Sequence, residues 1–321
     1  MDESYKKTLD RVLVILGPTS SGKSDVAIRL AKKFDGEIIS ADSRQIYKGL
    51  DIGTGKVKGL FKSVILSERS ESKDLIFYSD NIPHYLIDIV SPKTDYNVSK
   101  FKKDAEETIK DILRRKKLPI ICGGTGFWIK AIVDDVDFPK VKPNTELRRK
   151  LDRKNTEELF KILQKLDPER AKNIDAKNKV RLIRAIEICE TLGKVPSLNY
   201  ESRTANYYFL QIGIDISKDK LHQNIKKRLE KRFKEGMIKE VENLHESGLS
   251  WKKIRSFGLG YFWIPLFLQG KISQKELFEK VLGAEKDYAK RQMTWFKKDK
   301  RIKWLKDCKR IGKETNIFIK K

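Results

Sequence analysis

One short segment near the start of the chain constrains the fold more than any other. An apolar run at 12–16 is followed by the glycine-rich segment 17–24, and the spacing of apolar residues in 25–34 then predicts an amphipathic helix. A strand, a glycine-rich loop ending in Lys-Ser and a helix are together typical of a phosphate-binding P-loop. The segment predicts a phosphate site, but it identifies neither the phosphate compound nor whether a phosphoryl group moves.

Further apolar runs extend this unit into a sheet. We predict strands at 12–16, 37–40, 85–90, 118–122 and 208–214, and helices at 25–34 and 99–116. The alternation favours an α/β fold: a P-loop NTPase-like parallel sheet flanked by helices. Because ligands bind beyond the carboxyl ends of such strands, the P-loop, Asp42 and the Gly-Gly-Thr-Gly turn at 123–126 are predicted to border one pocket.

A long helical stretch interrupts the predicted sheet. Residues 144–192 have helical periodicity and lie between the last two predicted strands. We therefore predict an inserted helical domain over 139–204, within an α/β core formed by 1–138 and 205–321. Residues 58–81 show no clear period and are rich in Ser, Lys and Glu, so we predict a partly mobile loop or small insertion there.

The chain is strongly basic. Its 321 residues carry a formal net charge of +25. A polyanionic partner such as nucleic acid accounts for this excess, and so does the lysine drift of an AT-rich genome. Residues 286–321 hold fourteen Lys or Arg against four Asp or Glu, interleaved with Trp295, Phe296 and Trp304. This pattern suits either a surface that holds RNA phosphates and stacks bases, or an amphipathic helix with its aromatic side chains in the core.

Several classes of protein are disfavoured. The cysteines Cys122, Cys189 and Cys308 lie far apart, which argues against a disulfide framework or a thiolate zinc site. Residues 1–10 do not resemble a secretory signal, and the longest apolar stretch, 259–268, is too short to span a bilayer. We predict a cytoplasmic protein without a membrane partner.

Asp42 is the acidic residue best placed for chemistry. It follows the second predicted strand, where its carboxylate could hold Mg²⁺ or accept a proton, or could cap a following helix. A hydrophobic strand that ends in Asp or Glu, usual in P-loop NTPases, is missing, since Asp88 lies inside its predicted strand. This absence disfavours an ordinary ATPase or kinase.

Eight segments occur in the order found in one enzyme family. They are 17–24, 42–47, 51–56, 82–90, 123–126, 166–171, 181–187 and 290–296. Over residues 11–300 the chain resembles the tRNA dimethylallyltransferases, also called tRNA isopentenyltransferases. The resemblance implies transfer of a dimethylallyl group from dimethylallyl diphosphate to the exocyclic N6 amine of the adenosine on the 3′ side of the anticodon, with Mg²⁺ as cofactor. It implies a monomer whose partner is the anticodon stem-loop of tRNA.

The resemblance also implies roles for individual residues. Asp42 would be the general base, and Thr19, Lys23 and Arg228 would stabilise the leaving diphosphate together with Mg²⁺ at Ser24. The diphosphate-binding residues would be Gly17, Pro18, Thr19, Ser20, Ser21, Gly22, Lys23 and Ser24. The tRNA-binding residues would be Asp42, Ser43, Arg44, Gln45, Thr125, Val180, Arg181, Leu182, Ile183, Arg184, Lys290, Arg291, Gln292, Thr294 and Trp295. The inserted helical domain would bind the anticodon stem.

The chain departs from the family pattern in three places. Residues 58–81 are longer than usual, Phe257 and Phe262 stand where relatives often carry polar or basic residues, and Asn224 replaces a frequent Arg. Three alternative functions remain open: an adenylate isopentenyltransferase that acts on free AMP, ADP or ATP, a P-loop small-molecule kinase, and a non-catalytic RNA-binding protein.

Overall fold

The computed structural model describes residues 9–64, 74–196 and 207–320. Its elements, in chain order, are β1 Asp10–Leu16, α1 Lys23–Phe34, β2 Gly36–Ala41, β3 Leu60–Val64, β4 Asp74–Ser79, β5 Ile82–Tyr85, α2 Val98–Arg114, β6 Leu118–Gly123, α3 Gly126–Val133, α4 Thr145–Asp152, α5 Thr156–Leu166, α6 Pro168–Lys172, α7 Lys179–Leu192, β7 Tyr207–Ile214, α8 Lys218–Lys234, α9 Met237–Glu246, α10 Trp251–Ser256, α11 Gly260–Leu268, α12 Gln274–Phe296, β8 Lys303–Leu305 and α13 Cys308–Lys320. Two compact units result: Met1–Asp135 with Thr204–Lys321, and Val136–Arg203.

The larger unit is built on an eight-stranded sheet of order β3-β4-β5-β2-β6-β1-β7-β8. From β5 to β8 in this order, each strand pairs in parallel with the next, whereas β4 pairs antiparallel with both β3 and β5. Alternate residues of β1 enter two different cores: Val12, Val14 and Leu16 pack in one, and Leu13 and Ile15 in the other. Because both faces of β1 are covered from Val12 onward, its last five residues are all apolar. The predicted α/β fold is confirmed.

Two predictions in the first half of the chain were wrong. The strand placed at 85–90 lies at Ile82–Tyr85 instead, and the following residues form a bend in which Leu86 and Asp88 have φ of 59° and 55°. Left-handed backbone at two positions cannot continue a strand. The loop alternative for 58–81 is wrong where the segment is described, because β3 and β4 form an antiparallel pair at the edge of the sheet, which fits the other alternative, a small insertion. Residues 65–73 lie outside the described residues.

The smaller unit contains α4 to α7. Side-chain caps start all four of these helices, with Asn144, Asn155, Asp167 and Asn178 each accepting a backbone N–H three residues ahead. The unit has its own apolar core, which includes Leu159, Leu163, Leu182, Ala185 and Ile186. Four short helices with this shared core explain the helical periodicity found in the sequence.

The apolar segment near residue 260 forms α11, a nine-residue helix of the larger unit. Among all residues that the structure describes, no helix combines the length and apolar character needed to cross a bilayer.

Candidate functional site

The phosphate loop joins β1 to α1. Its turn closes through a hydrogen bond from the Ser21 N–H to the Pro18 carbonyl (3.3 Å). Gly22 then adopts a left-handed conformation (φ 85°), and α1 begins at Lys23. Because the cap residue is a glycine without a side chain, the first N–H groups of α1 stay open to an anion.

Six other parts of the larger unit meet this loop in one cleft. Its walls come from the turn after β2, the segment 51–56, the end of β6, the helix α8, the residue before α11 and the helix α12. The cleft is lined by Thr19, Lys23, Ser24, Asp42, Arg44, Gln45, Thr54, Gly55, Cys122, Gly123, Arg228, Arg232, Leu259, Glu285, Tyr288 and Gln292. The structure thus brings the P-loop, Asp42 and the end of β6 together, as the positions of the strand ends predict.

Two half-buried cations lie in the cleft. Lys23 donates to the Pro18 carbonyl (3.3 Å), and burial is the main cause that lowers its pKa. Arg228 donates through Nη2 to the Thr19 hydroxyl, while its Nε finds no hydrogen-bond partner within the described chain. Burial, followed by the nearby charge of Arg232, lowers the pKa of Arg228 to about 10. Two cations that are partly removed from solvent in this way favour the binding of an anionic ligand between them.

Asp42 lies in the same cleft, after the end of β2. Its Oδ1 accepts the backbone N–H of Arg44 (2.9 Å), and residues 43–46 form turns rather than a helix. The helix-cap alternative is therefore wrong, although the carboxylate does hold a turn. Its charge acts on both Lys23 and Arg228, which places a proton acceptor beside the two cations.

The neighbours of Asp42 build one wall of the cleft. The Ser43 N–H donates to the Thr125 hydroxyl (3.1 Å), which ties this turn to the one after β6. The guanidinium of Arg44 lies 4.8 Å from the Tyr288 ring centre, and its Nε donates to the Phe257 carbonyl (2.7 Å). Gln45 accepts from the Ser40 hydroxyl (3.3 Å). These contacts fix the wall in position.

Two residues that the resemblance assigns to tRNA have interior side chains. Leu182 is fully buried in the core of the helical unit. Gln292 is 6% exposed and bonds at both ends of its amide group, to Thr19 and to Gly124. Neither side chain is open to an RNA. A sequence motif marks a stretch of helix, and only the packing shows which of its faces is outward.

Other residues of these segments do lie outward. On α12 the exposed residues are Lys290, Arg291, Thr294 and Trp295, whereas Phe296 is buried. Burial of Phe296 agrees with the amphipathic-helix interpretation, and an RNA-binding surface on the exposed residues stays a prediction. On α7, Val180 and Arg181 are exposed, and Ile183 and Arg184 are half-buried.

The residues that depart from the family pattern have structural partners. Phe257 is buried, with its ring centre 5.1 Å from that of Tyr47. Phe262 receives the Arg255 guanidinium 4.4 Å from its ring centre. Asn224 donates to the Ser20 carbonyl (3.2 Å) and so supports the phosphate loop from α8.

A buried ion pair in the wall of the cleft was not predicted from the sequence. Arg232 and Glu285 are bonded to each other, with exposures of 3% and 1%, and Arg232 also donates to the Gly53 carbonyl (2.8 Å). Glu240 holds the same segment by accepting three consecutive N–H groups, from residues 51 to 53. The glycine-rich segment 51–56 was visible in the sequence, but its partners on α8, α9 and α12 are almost two hundred residues away or more.

The donors available to a metal are oxygens. Ser24 and Asp42 line the cleft, and both suit Mg²⁺. Burial raises the pKa of Cys122 to about 11, so this thiol is neutral and a poor ligand. Within residues 9–64, 74–196 and 207–320, no group of three or more His, Cys, Asp or Glu is arranged to bind a metal. A Mg²⁺ ion would therefore need ligands from a bound phosphate compound.

The chain matches two related family models, IPP transferase over residues 45–299 and Isopentenyl transferase over residues 10–76. It is 40% identical over 304 residues to a tRNA dimethylallyltransferase of Acetivibrio thermocellus, covering 92% of each chain. It is 41% identical to tRNA dimethylallyltransferase 2 of Treponema denticola, covering 89% of this chain and 91% of that one.

Solved structures agree with these matches. A tRNA delta(2)-isopentenylpyrophosphate transferase from Staphylococcus epidermidis superposes with a TM-score of 0.66 at 35% identity, covering 97% of this chain and 99% of the other. A eukaryotic dimethylallyltransferase acting on tRNA superposes with a TM-score of 0.72 at 27% identity, covering 89% and 69%. The chain belongs to the IPP transferase family.

Proposed function

We propose that this protein transfers a dimethylallyl group from dimethylallyl diphosphate to the N6 amine of the adenosine on the 3′ side of the anticodon in tRNA. One observation carries the proposal: the phosphate loop, the cations of Lys23 and Arg228 and the carboxylate of Asp42 share a cleft. Relatives at about 40% identity, which match over nearly the whole chain, bear the name of this activity. An acid at the end of β6, which a nucleotide hydrolase would use for Mg²⁺, is replaced by glycines.

In this reaction the carbon–oxygen bond of the donor breaks as a carbon–nitrogen bond forms. Negative charge develops on the departing diphosphate, where the loop N–H groups, Lys23 and Arg228 stabilise it. The Thr19 hydroxyl, held by Arg228, faces the same charge. Mg²⁺ bound by Ser24 and the diphosphate would supply further charge neutralisation.

The acceptor amine loses a proton as the new bond forms. Asp42 is the carboxylate in the cleft that can take this proton, because the other one, Glu285, is bonded to Arg232. The adenine must leave the anticodon-loop stack to reach the cleft, which costs a few kcal/mol. Contacts between basic residues and RNA phosphates offset this cost.

Exposed basic and aromatic residues supply those contacts. On α12, Lys290 and Arg291 would bind phosphates, and Trp295, which is 40% exposed, would stack on a base. On the helical unit, Val180 and Arg181 at the start of α7 would contact the anticodon stem. We also propose that the protein acts as a monomer, as the family resemblance implies.

The test is an incubation with labelled dimethylallyl diphosphate, Mg²⁺ and either unmodified tRNA or AMP. We expect label in tRNA only. Label in AMP alone would favour an adenylate isopentenyltransferase, and ATP hydrolysis without transfer would favour a kinase.

A variant tests the role of Asp42. Asp42→Asn keeps the shape of the side chain but removes the base, so we expect turnover to fall by about 10²- to 10⁴-fold while tRNA affinity changes little. Asp219→Asn, at an exposed position in the first turn of α8, is the control. Unchanged turnover in Asp42→Asn would indicate an RNA-binding protein or a different base.

A further inference from the structure

Gln292 joins the phosphate loop to the turn after β6. Its Oε1 accepts the backbone N–H of Thr19 (2.8 Å), and its Nε2 donates to the Gly124 carbonyl (2.8 Å). The amide is 6% exposed, and one end of it faces a donor while the other faces an acceptor. Its orientation is therefore fixed by its two partners.

The turn after β6 is shaped to receive this side chain. A Cβ atom on Gly124 would collide with Gln292 Nε2, so the glycine leaves room for the amide rather than permitting an unusual backbone angle. The next residue, Thr125, binds Ser43 beside Asp42. Gln292 thus lies between the wall that carries Asp42 and the loop that binds phosphate.

The contact has a direct effect on Thr19. In a phosphate loop, successive backbone N–H groups point at the anion. The N–H of Thr19 points at a protein oxygen instead, and its hydroxyl is held by Arg228. Thr19 therefore presents its hydroxyl, and not its amide, to whatever the loop binds.

We propose that Gln292 is a positioning residue that adapts the phosphate loop to a diphosphate. It withdraws the Thr19 N–H from phosphate binding, so that the loop has fewer donors than a third phosphoryl group would need. Its carboxamide oxygen, which carries partial negative charge, repels such a group. The inference rests on the proposed function and adds a determinant of donor specificity to it.

The main variant is Gln292→Met, which keeps the volume of the side chain and removes both hydrogen bonds. With two bonds lost, we expect the KM for dimethylallyl diphosphate to rise about ten-fold and the KM for tRNA to stay within about two-fold. Affinities for inorganic pyrophosphate and tripolyphosphate, measured by calorimetry, give a second readout. The wild-type preference for pyrophosphate should fall about ten-fold in the variant, because the Thr19 N–H becomes available.

A second variant separates positioning from stability. Gln292→Glu keeps the acceptor for Thr19 but adds a negative charge beside the phosphates, so we expect weaker pyrophosphate binding than in Gln292→Met. A purely structural role predicts the opposite order, since Glu retains one of the two bonds. Val281→Ala, in a fully buried position three turns earlier on α12, is the control that lowers thermal stability without changing the preference between the two ions.

The outcomes distinguish this inference from the proposed function. If the wild type modifies tRNA but Gln292→Met keeps both its donor KM and its ion preference, only the role of Gln292 is overturned. If Gln292→Met does not fold, an unchanged donor KM and an unchanged ion preference in Gln292→Glu overturn the role of Gln292. A wild type that binds no pyrophosphate and transfers no label overturns both.

Discussion

The buried pair of Arg232 and Glu285 tests how much an ion pair in the wall of the cleft contributes to the free energy of unfolding. Glu285→Gln keeps the shape of the side chain but removes its charge. The Arg232 guanidinium, in a residue that is 3% exposed, then stays buried without a counterion. It also stays close enough to the cation of Arg228 for the two like charges to repel each other. Removing one partner of such a pair typically costs about 3 to 5 kcal/mol. Against a total stability of about 5 to 15 kcal/mol, this loss is large.

The matched control removes both charges. Arg232→Met with Glu285→Leu replaces the pair by apolar side chains, which is often close to neutral. The bond from Arg232 to the Gly53 carbonyl (2.8 Å) is lost as well, so we expect the double variant to lie about 1 kcal/mol below the wild type.

Urea unfolding followed by circular dichroism and tryptophan fluorescence measures these free energies, with equal m-values as a check on the comparison. The reasoning fails if Glu285→Gln loses less than about 1 kcal/mol. It also fails if the double variant is as unstable as the single one, because the cost would then come from packing rather than from an uncompensated charge.

Two further predictions concern the walls of the cleft. In Glu240→Gln one carboxylate oxygen becomes an NH₂ group that faces the N–H groups of residues 51–53. We expect the free energy of unfolding in urea to fall by about 2 kcal/mol and the KM for the donor to rise. An unchanged KM would show that this segment does not shape the site. Burial lowers the pKa of Lys23 in the free protein, and a bound diphosphate raises it again. Below the lowered pKa, Lys23 is protonated in both the free and the bound protein, so its titration should not change pyrophosphate affinity. The affinity should fall as pH rises from the pKa of Lys23 in the free protein to its pKa in the bound protein. Calorimetry in buffers of different ionisation enthalpy should show the accompanying proton uptake. Lys23→Met should abolish that uptake, and uptake that persists would assign it to another group.

The central strands and the site were predictable because their signals are local. The phosphate loop, β2, β6 and β7 each carry an apolar run beside a glycine-rich or polar turn, and the carboxyl ends of parallel strands meet at one edge. The bend after β5 was not predictable in this way. Asp88 is ion-paired with Lys56, thirty-two residues earlier, and its backbone is left-handed at this point. The apolar run alone predicts that the strand continues through this residue.

The ends of the sheet were missed for a related reason. Strand β8 has three residues in a basic segment and exists because it pairs with β7, and Trp304 packs on Gly213 of that strand. Strands β3 and β4 lie at the opposite edge, where exposed residues such as Leu60 and Leu75 blur the alternation of buried and exposed positions. Long-range pairing decides these elements, and a local pattern does not contain it.

The position of β1 in the sheet has a consequence during synthesis on the ribosome. β1 pairs with β6 on one side and with β7 on the other, and about 190 residues separate the end of β1 from the start of β7. At about 5 to 20 residues per second, the second partner is made roughly 10 to 40 s after the first strand. Over that interval a strand whose last five residues are apolar has an unpaired edge, which invites pairing with other chains. The helical unit, whose core is its own, is complete before β7 is made, and chaperone binding to the nascent chain is expected to end only when β7 is in place.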